Sequence, residues 1–195
     1  MIMATRIAIV ALVAMLAAFP ARAAVTVFPS SVFSQSGVTN ANGALFASNG
    51  AAAVIGAGGD LVLQYAQPLT GAGITATFLP QSTSPAFNII AVSIGEVIGG
   101  VATFSGEFVV GDGSGVQTAD LTAACSGVSA TGCSLLRLRN VFNFNSSGAL
   151  LDSVSGVSNV PEPSTWALML LGFAALGWKL KDARSKGRLQ GHQFA

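Results

Sequence analysis

Few side chains between Ala24 and Val160, the central part of this 195-residue chain, could carry out chemistry. That region has no histidine and no lysine, and its charged side chains are Asp60, Glu96, Glu107, Asp112, Asp120, Asp152, Arg137 and Arg139. A serine nucleophile needs a neighbouring base, usually histidine or lysine. No sequence feature selects two of the carboxylates as an acid–base pair of the glycosidase type. We therefore expect no catalytic residue here.

The two cysteines, Cys125 and Cys133, are separated by seven residues. In an oxidising compartment such an isolated pair usually forms a disulfide, and Gly127 and Gly132 let the short loop turn back on itself. Zinc would need more ligands, and the only histidine, His192, lies beyond a hydrophobic run near the C-terminus. The sequence predicts a disulfide, with free thiols as the alternative.

Asp112 in the segment Gly-Asp-Gly-Ser-Gly is the best metal candidate, since calcium prefers oxygen ligands. Asp120 or Asp152 would have to come near it through folding. The segment lacks the acidic spacing and terminal glutamate of an EF-hand, so a hairpin turn is the favoured interpretation and no cofactor is expected. Residues 55–60, Ile-Gly-Ala-Gly-Gly-Asp, similarly favour a tight turn over a phosphate-binding loop.

The charge of the central region argues against nucleic acid as a partner. Between Ala24 and Val160 six acids face two arginines, a net charge of −4, although the whole chain has a formal charge of +1. Nucleic-acid-binding proteins usually carry a basic stripe that contacts phosphates. We therefore expect no nucleic-acid partner.

The first 23 residues have the features of a secretory signal peptide. Arg6 gives the positive start, Ile7–Phe19 is continuously apolar, and Pro20 breaks the helix. The small residues Ala21 and Ala23 are typical of the positions before a cleavage site, so we expect signal peptidase to cut between Ala23 and Ala24. An uncleaved N-terminal anchor is the alternative.

The chain ends in a second hydrophobic segment. Pro161 and Pro163 favour an extended, non-helical strip, and a helix over residues 165–180 follows it. Its uncharged part, Trp166–Trp178, covers about 20 Å against the roughly 30 Å hydrocarbon core of a bilayer, with a tryptophan at each interface. The basic residues that follow are Lys179, Lys181, Arg184, Lys186 and Arg188. By the positive-inside rule residues 179–195 stay cytoplasmic and the rest of the chain faces outward.

The C-terminal segment has the sequence Val160-Pro161-Glu162-Pro163-Ser164, followed by the predicted apolar helix and the basic residues. It closely resembles the PEP-CTERM sorting signal of Gram-negative bacteria. The resemblance covers residues 159–190, with the motif at 160–164. It implies recognition by exosortase, a membrane-embedded enzyme that cuts near the motif. It also implies transient anchoring in the inner membrane, followed by release to the cell surface, often in bacteria that make exopolysaccharide and biofilm.

Residues 24–158 predict an all-β ectodomain. Short apolar-alternating segments recur about every ten residues, which is typical of an antiparallel β-sandwich or jelly roll. In residues 134–144 the alternation places Leu136, Leu138, Phe142 and Phe144 on one face. Residues 30–53 predict either a weak hairpin or a partly ordered arm. Both tryptophans lie in the membrane segment and the phenylalanines are expected mostly to face inward, which argues against sugar stacking on aromatic rings.

Together these features predict an exported surface or matrix protein with a structural or adhesive role in an exopolysaccharide matrix. The alternative is an exopolysaccharide-binding module, and a secreted glycan hydrolase comes third. The partners expected during processing are signal peptidase, exosortase and the inner membrane.

Overall fold

The chain is described by a computed structural model that covers residues 22–80, 87–161, 169–170 and 172–177. Residues 24–159 form one compact unit, and the described residues on either side of it belong to a second. Most of the predicted signal peptide lies outside the described residues. In the predicted membrane segment, residues 169–170 and 172–177 are helical and exposed. Among the residues described, no helix is long and apolar enough to cross a membrane.

Most of the described chain is β-structure. The strands are β1 (Arg22–Val27), β2 (Ser31–Thr39), β3 (Ala53–Leu69), β4 (Ile74–Phe78), β5 (Phe87–Ile98), β6 (Val101–Phe104), β7 (Phe108–Gly111), β8 (Gly115–Ala119), β9 (Cys133–Phe144) and β10 (Ala149–Pro161). A 3-10 helix spans Ala41–Leu45 and one α-helix, α1, spans Thr122–Val128. The prediction of an all-β fold is confirmed.

The strands join into one ten-stranded sheet that curls into a sandwich-like layer arrangement. Its main path runs β6–β5–β9–β3–β10–β4–β8, with β1 beside β10, β2 beside β3 and β7 beside β5. The pairs of β5 with β6, β7 and β9, of β3 with β2 and β9, and of β4 with β8 and β10 are antiparallel. β10 also pairs with β3, in a pairing of parallel type with register shifts throughout, at Ala149–Leu151 opposite Ala53–Ile55 and again at Ser158 opposite Leu69.

The core lies on the inner side of the curled sheet. Strand alternation supplies it, because every second side chain of a strand points to the same face. In β4, Ile74, Ala76 and Phe78 are at most 4% exposed, as their alternation predicts. The largest fully buried side chains on the other strands are Ile55, Leu61, Leu63, Leu69, Ile90, Val92, Ile94, Leu135, Leu136, Leu138 and Leu151.

Two segments fold differently from the expectation. Ile55–Asp60 lies inside the long strand β3 instead of forming a tight turn, since Gly58 takes a φ of 68° and lets the strand bend without ending. Residues 122–128 form α1, although the sequence shows almost no helical pattern there. The uncertain segment after Ser30 resolves into β2, which pairs with β3, and the 3-10 helix.

A bulge in β9 changes which residues face the core. Ile89 pairs with Phe142 but the next residue, Ile90, pairs with Asn140, so Val141 is an extra residue without a partner on β5. An extra residue reverses the alternation beyond it. Leu136 and Leu138 are accordingly buried while Phe142 and Phe144 are 46% and 47% exposed. The prediction that all four side chains share one face was wrong for this reason.

Candidate ligand-binding face

The outer face of β3, β5 and β9 carries the only two arginines of the central unit. Arg137 and Arg139 on β9 lie opposite Ser93 and Ala91 on β5, and Asp60 on β3 lies opposite Arg139. These positions alternate with the buried residues Val92, Ile94, Leu136 and Leu138. They therefore project from the side of the sheet away from the core.

The four charged side chains on this face form an ion network, made of Asp60, Glu107, Arg137 and Arg139. Arg137 donates from Nε to Asp60 Oδ2 at 2.7 Å and also pairs with it through Nη2. Arg139 Nη1 donates to Glu107 Oε1 at 2.8 Å, and Arg137 Nη1 lies 3.9 Å from the same oxygen. The hydrogen bond to Asp60 raises the pKa of the Arg137 guanidinium. Each arginine is thus already paired with a carboxylate.

An aromatic ring borders the ion network on one side. The Arg137 guanidinium carbon lies 5.8 Å from the centre of the Phe104 ring, within cation–π range. Phe104 can lie against the sheet because its partner Gly95 has no side chain, and a Cβ there would come within 2.6 Å of the ring. An open depression of about 440 Å³ lies here, lined by Ser34, Gln35, Ser36, Asp60, Val62, Phe104 and Arg137.

Ser93 is an unexpected polar group beneath this network. It is 1% exposed, and its hydroxyl has no hydrogen-bond partner among the described residues. A buried hydroxyl without a partner costs free energy, about 1–3 kcal/mol. Ser93 lies opposite Arg137 on the neighbouring strand β9.

Three phenylalanines, Phe87, Phe142 and Phe144, form an exposed cluster further along the same two strands, which we call the phenylalanine cluster. The Phe87 ring centre lies 5.7 Å from that of Phe142 and 5.4 Å from that of Phe144, and the ring planes are nearly parallel. Each side chain is 41–47% exposed. The expectation that the phenylalanines mostly face inward was wrong here. The sequence carries no signal for the bulge that turns two of them outward.

The other carboxylates stabilise loops and strand ends. Glu96 accepts two hydrogen bonds from Ser134, and Asp120 accepts two from Thr122, which lowers the pKa of Asp120. Asp152 accepts hydrogen bonds from the Ser48 hydroxyl and from the amides of residues 49 and 50. Those hydrogen bonds, the one from Ser48 first, lower the pKa of Asp152.

Asp112, the calcium candidate, holds its own turn. Its Oδ1 atom accepts hydrogen bonds from the amide and hydroxyl of Ser114 and from Gln117. Asp120 and Asp152, the other two candidate ligands, are held by separate partners of their own. Across residues 22–80 and 87–161, no three histidine, cysteine, aspartate or glutamate side chains are grouped to hold a metal ion.

Cys125 and Cys133 form the predicted disulfide, with Cα atoms 5.9 Å apart. It joins α1 to the first residue of β9, and both residues are buried. Leu69, the last residue of β3, pairs with Cys133, so the crosslink fastens the helix to the adjoining ends of β3 and β9. Its position and burial give it a structural role.

The C-terminal end of β10 overlaps a segment that matches a known family model. Residues 159–184 match the PEP-CTERM protein-sorting motif. The chain carries a PEP-CTERM sorting motif. The PEP-CTERM motif implies an exported protein that passes through the membrane and is processed by exosortase.

The PEP-CTERM motif overlaps the sandwich by a few residues. Val160 and Pro161 are the last two residues of β10, so the motif follows the final strand without a linker. Other predicted sorting and processing residues lie outside the described residues, namely Glu162, Pro163, Trp166, Trp178, Lys179, Lys181, Arg184, Lys186 and Arg188. At the N-terminus, Ala23 and Ala24, which flank the predicted signal cleavage, lie within β1.

The fold is similar to that of a solved chain described as truncated AlyQ with CBM32 and alginate lyase domains. The TM-score is 0.50 with 11% sequence identity, over 73% of this chain and 35% of that chain. Six solved chains are similar in all. The chain thus spans about a third of the length of this neighbour, and the likeness concerns the fold alone. No curated protein is similar to the chain in sequence.

Proposed function

We propose that this is a cell-surface or extracellular-matrix protein of a Gram-negative bacterium, with a structural or adhesive role in an exopolysaccharide matrix. The observation that carries the proposal is the PEP-CTERM motif at residues 159–184, placed directly after the last strand of a disulfide-linked β-sandwich. In this account the signal peptide directs export, the C-terminal helix holds the chain in the inner membrane, and exosortase releases it.

The intact mass of the protein recovered from medium and envelope tests the sorting part of this proposal. We expect a mass that lacks residues 1–23 and the residues after the Pro-Glu-Pro motif, less two hydrogens for the disulfide. Recovery of the full-length chain from the cytosol with reduced thiols would contradict the proposal. Loss of biofilm or floc cohesion in a deletion strain tests the structural role.

Binding of exopolysaccharide is the second candidate function. The observation that favours it is the phenylalanine cluster, because exposed aromatic rings can stack on sugar rings. The similarity to a protein whose description includes a CBM32 domain agrees with it at the level of fold. Saturable retention of the mature protein on the producer's own exopolysaccharide is expected. Equal retention with and without chelator is also expected, because the proposal includes no metal.

The proposal assigns no catalytic activity to the protein. Residues 24–160 have no histidine or lysine to serve as a base for a serine nucleophile. Two of the six carboxylates are paired with arginines, and the other four accept hydrogen bonds from neighbouring loops and strands. Release of reducing sugar ends from the producer's exopolysaccharide by the purified protein would contradict this part.

A further inference from the structure

We infer that the phenylalanine cluster and the neighbouring Arg139–Glu107 pair form one binding site for an uncharged polysaccharide chain. The inference rests on the second candidate function, exopolysaccharide binding, and names the site and the class of polymer. The two parts lie on the same sheet face. Phe87, Ile89 and Ala91 alternate along β5, and Phe142 and Arg139 are the partners of Ile89 and Ala91 on β9.

The row of side chains suits an extended ligand. From Phe87 to Gly95, where Phe104 covers the sheet, β5 advances eight residues, or about 26 Å. Phenyl rings stand at one end, the ion network in the middle and the Phe104 ring at the other end. A polymer that lies along the strands would meet apolar and hydrogen-bonding groups in alternation.

The exposed rings are too small a surface for a stable protein partner. A phenylalanine side chain has roughly 200 Å² of surface, so exposures of 41%, 46% and 47% amount to about 270 Å². Val109, opposite Ala91 on the same face and 69% exposed, adds roughly 100 Å². The total of about 370 Å² is below the roughly 450 Å² of apolar area within the about 800 Å² that each partner buries in a standard interface. A second copy of the chain would therefore gain little here.

The chemical groups of the phenylalanine cluster and of the adjoining Arg139–Glu107 pair suit a sugar ring. A phenyl face carries partial negative charge and attracts the slightly positive C–H groups of a pyranose face. The Arg139 and Glu107 side chains are 42% and 35% exposed, so their remaining donors and acceptors can reach sugar hydroxyls.

The charges on this face favour an uncharged polymer. Arg137 and Arg139 are the only bases between Ala24 and Val160, and both are neutralised by carboxylates. An acidic polysaccharide would have to displace Glu107 from Arg139 and approach a unit with a net charge of −4. A neutral chain meets neither obstacle.

The test uses the mature protein from the medium and the producer's own exopolysaccharide, separated by anion exchange into neutral and acidic fractions. Affinity electrophoresis measures retention by each fraction. The variants Phe142→Ala and Phe144→Ala probe the site. Phe46→Ala is the matched control, since Phe46 is 60% exposed and follows the 3-10 helix, outside β5 and β9. Thermal unfolding checks that each variant is folded.

We expect retention by the neutral fraction, unchanged by 0.5 M salt, with affinity about tenfold lower for each cluster variant and unaltered for Phe46→Ala. Salt-sensitive retention by the acidic fraction alone would overturn the inference and leave the polysaccharide-binding function standing. Equal losses for Phe46→Ala and Phe142→Ala would overturn it too, as would a wild-type dimer that becomes monomeric in the cluster variants. Retention by neither fraction would reject both the inference and the binding function.

Discussion

Asp152 shows what single carboxylates do in this protein. It is 1% exposed and belongs to the last strand, and its hydrogen-bond partners lie about a hundred residues earlier in the chain, at residues 48–50. Without these hydrogen bonds a buried carboxylate would be destabilising. The hydrogen bonds instead stabilise its charged form and fix the loop between the 3-10 helix and β3.

Replacement of Asp152 tests this contribution. We expect Asp152→Asn to lower the free energy of unfolding at pH 7 by about 1–3 kcal/mol, since backbone and hydroxyl donors lose a charged acceptor. The pKa of Asp152 is lowered in the folded state, so its contribution is complete above about pH 5 and is lost as pH falls below the usual aspartate pKa of about 3.9. Urea unfolding from pH 7 to pH 2.5 should show the two proteins converging at low pH. Asp112→Asn, in an exposed turn, is the control; a constant difference at all pH values would contradict the assignment.

At the scale of elements, the sequence predicts the strands well, but it predicts less well which face of the sheet each side chain occupies. The alternation in β4 and in the first half of β9 is visible in the residues, because burial selects apolar side chains at every second position. The Val141 bulge is not visible, since Phe142 and Phe144 look like core residues whether they face in or out. The candidate site was missed for the same reason. It depends on which face β9 presents after the bulge and on pairing with β5, about fifty residues earlier.

The disulfide is the crosslink that the sequence does predict, and its removal tests how far α1 depends on it. We expect Cys125→Ala with Cys133→Ala to lower the free energy of unfolding by about 2–3 kcal/mol, because an eight-residue separation closes a short loop in the unfolded chain. The melting temperature should fall by roughly 6–12 °C. Alanine is chosen because both cysteines are buried. Reductant should destabilise the wild type to a similar degree and leave the variant unchanged; a variant as stable as the oxidised wild type would show that the crosslink is dispensable.

At the scale of the whole molecule, the sandwich and the sorting segment are covalently close. Ser158 is buried and pairs with Leu69, and only six residues separate it from Thr165, where the predicted membrane helix begins. Seven residues span at most about 25 Å even when fully extended. If exosortase cuts between the last strand and this helix, as in the proposed function, we expect the bond to lie within these few residues, close in sequence to the folded domain.

Glu162 is the residue of that stretch whose replacement is most informative. It is the only charged residue between Asp152 and Lys179, and the sequence predicts an extended, non-helical backbone there because a proline lies on each side. We expect Glu162→Ala to be exported and to lose its signal peptide normally, but to keep the C-terminal segment and stay with the membrane fraction. Intact mass and fractionation measure both outcomes. Asp182→Ala, another acid within the matched motif, should be processed like the wild type. If Glu162→Ala instead matured at the wild-type rate, the charge would have no part in recognition, and the two prolines with the helix behind them would have to direct cleavage alone.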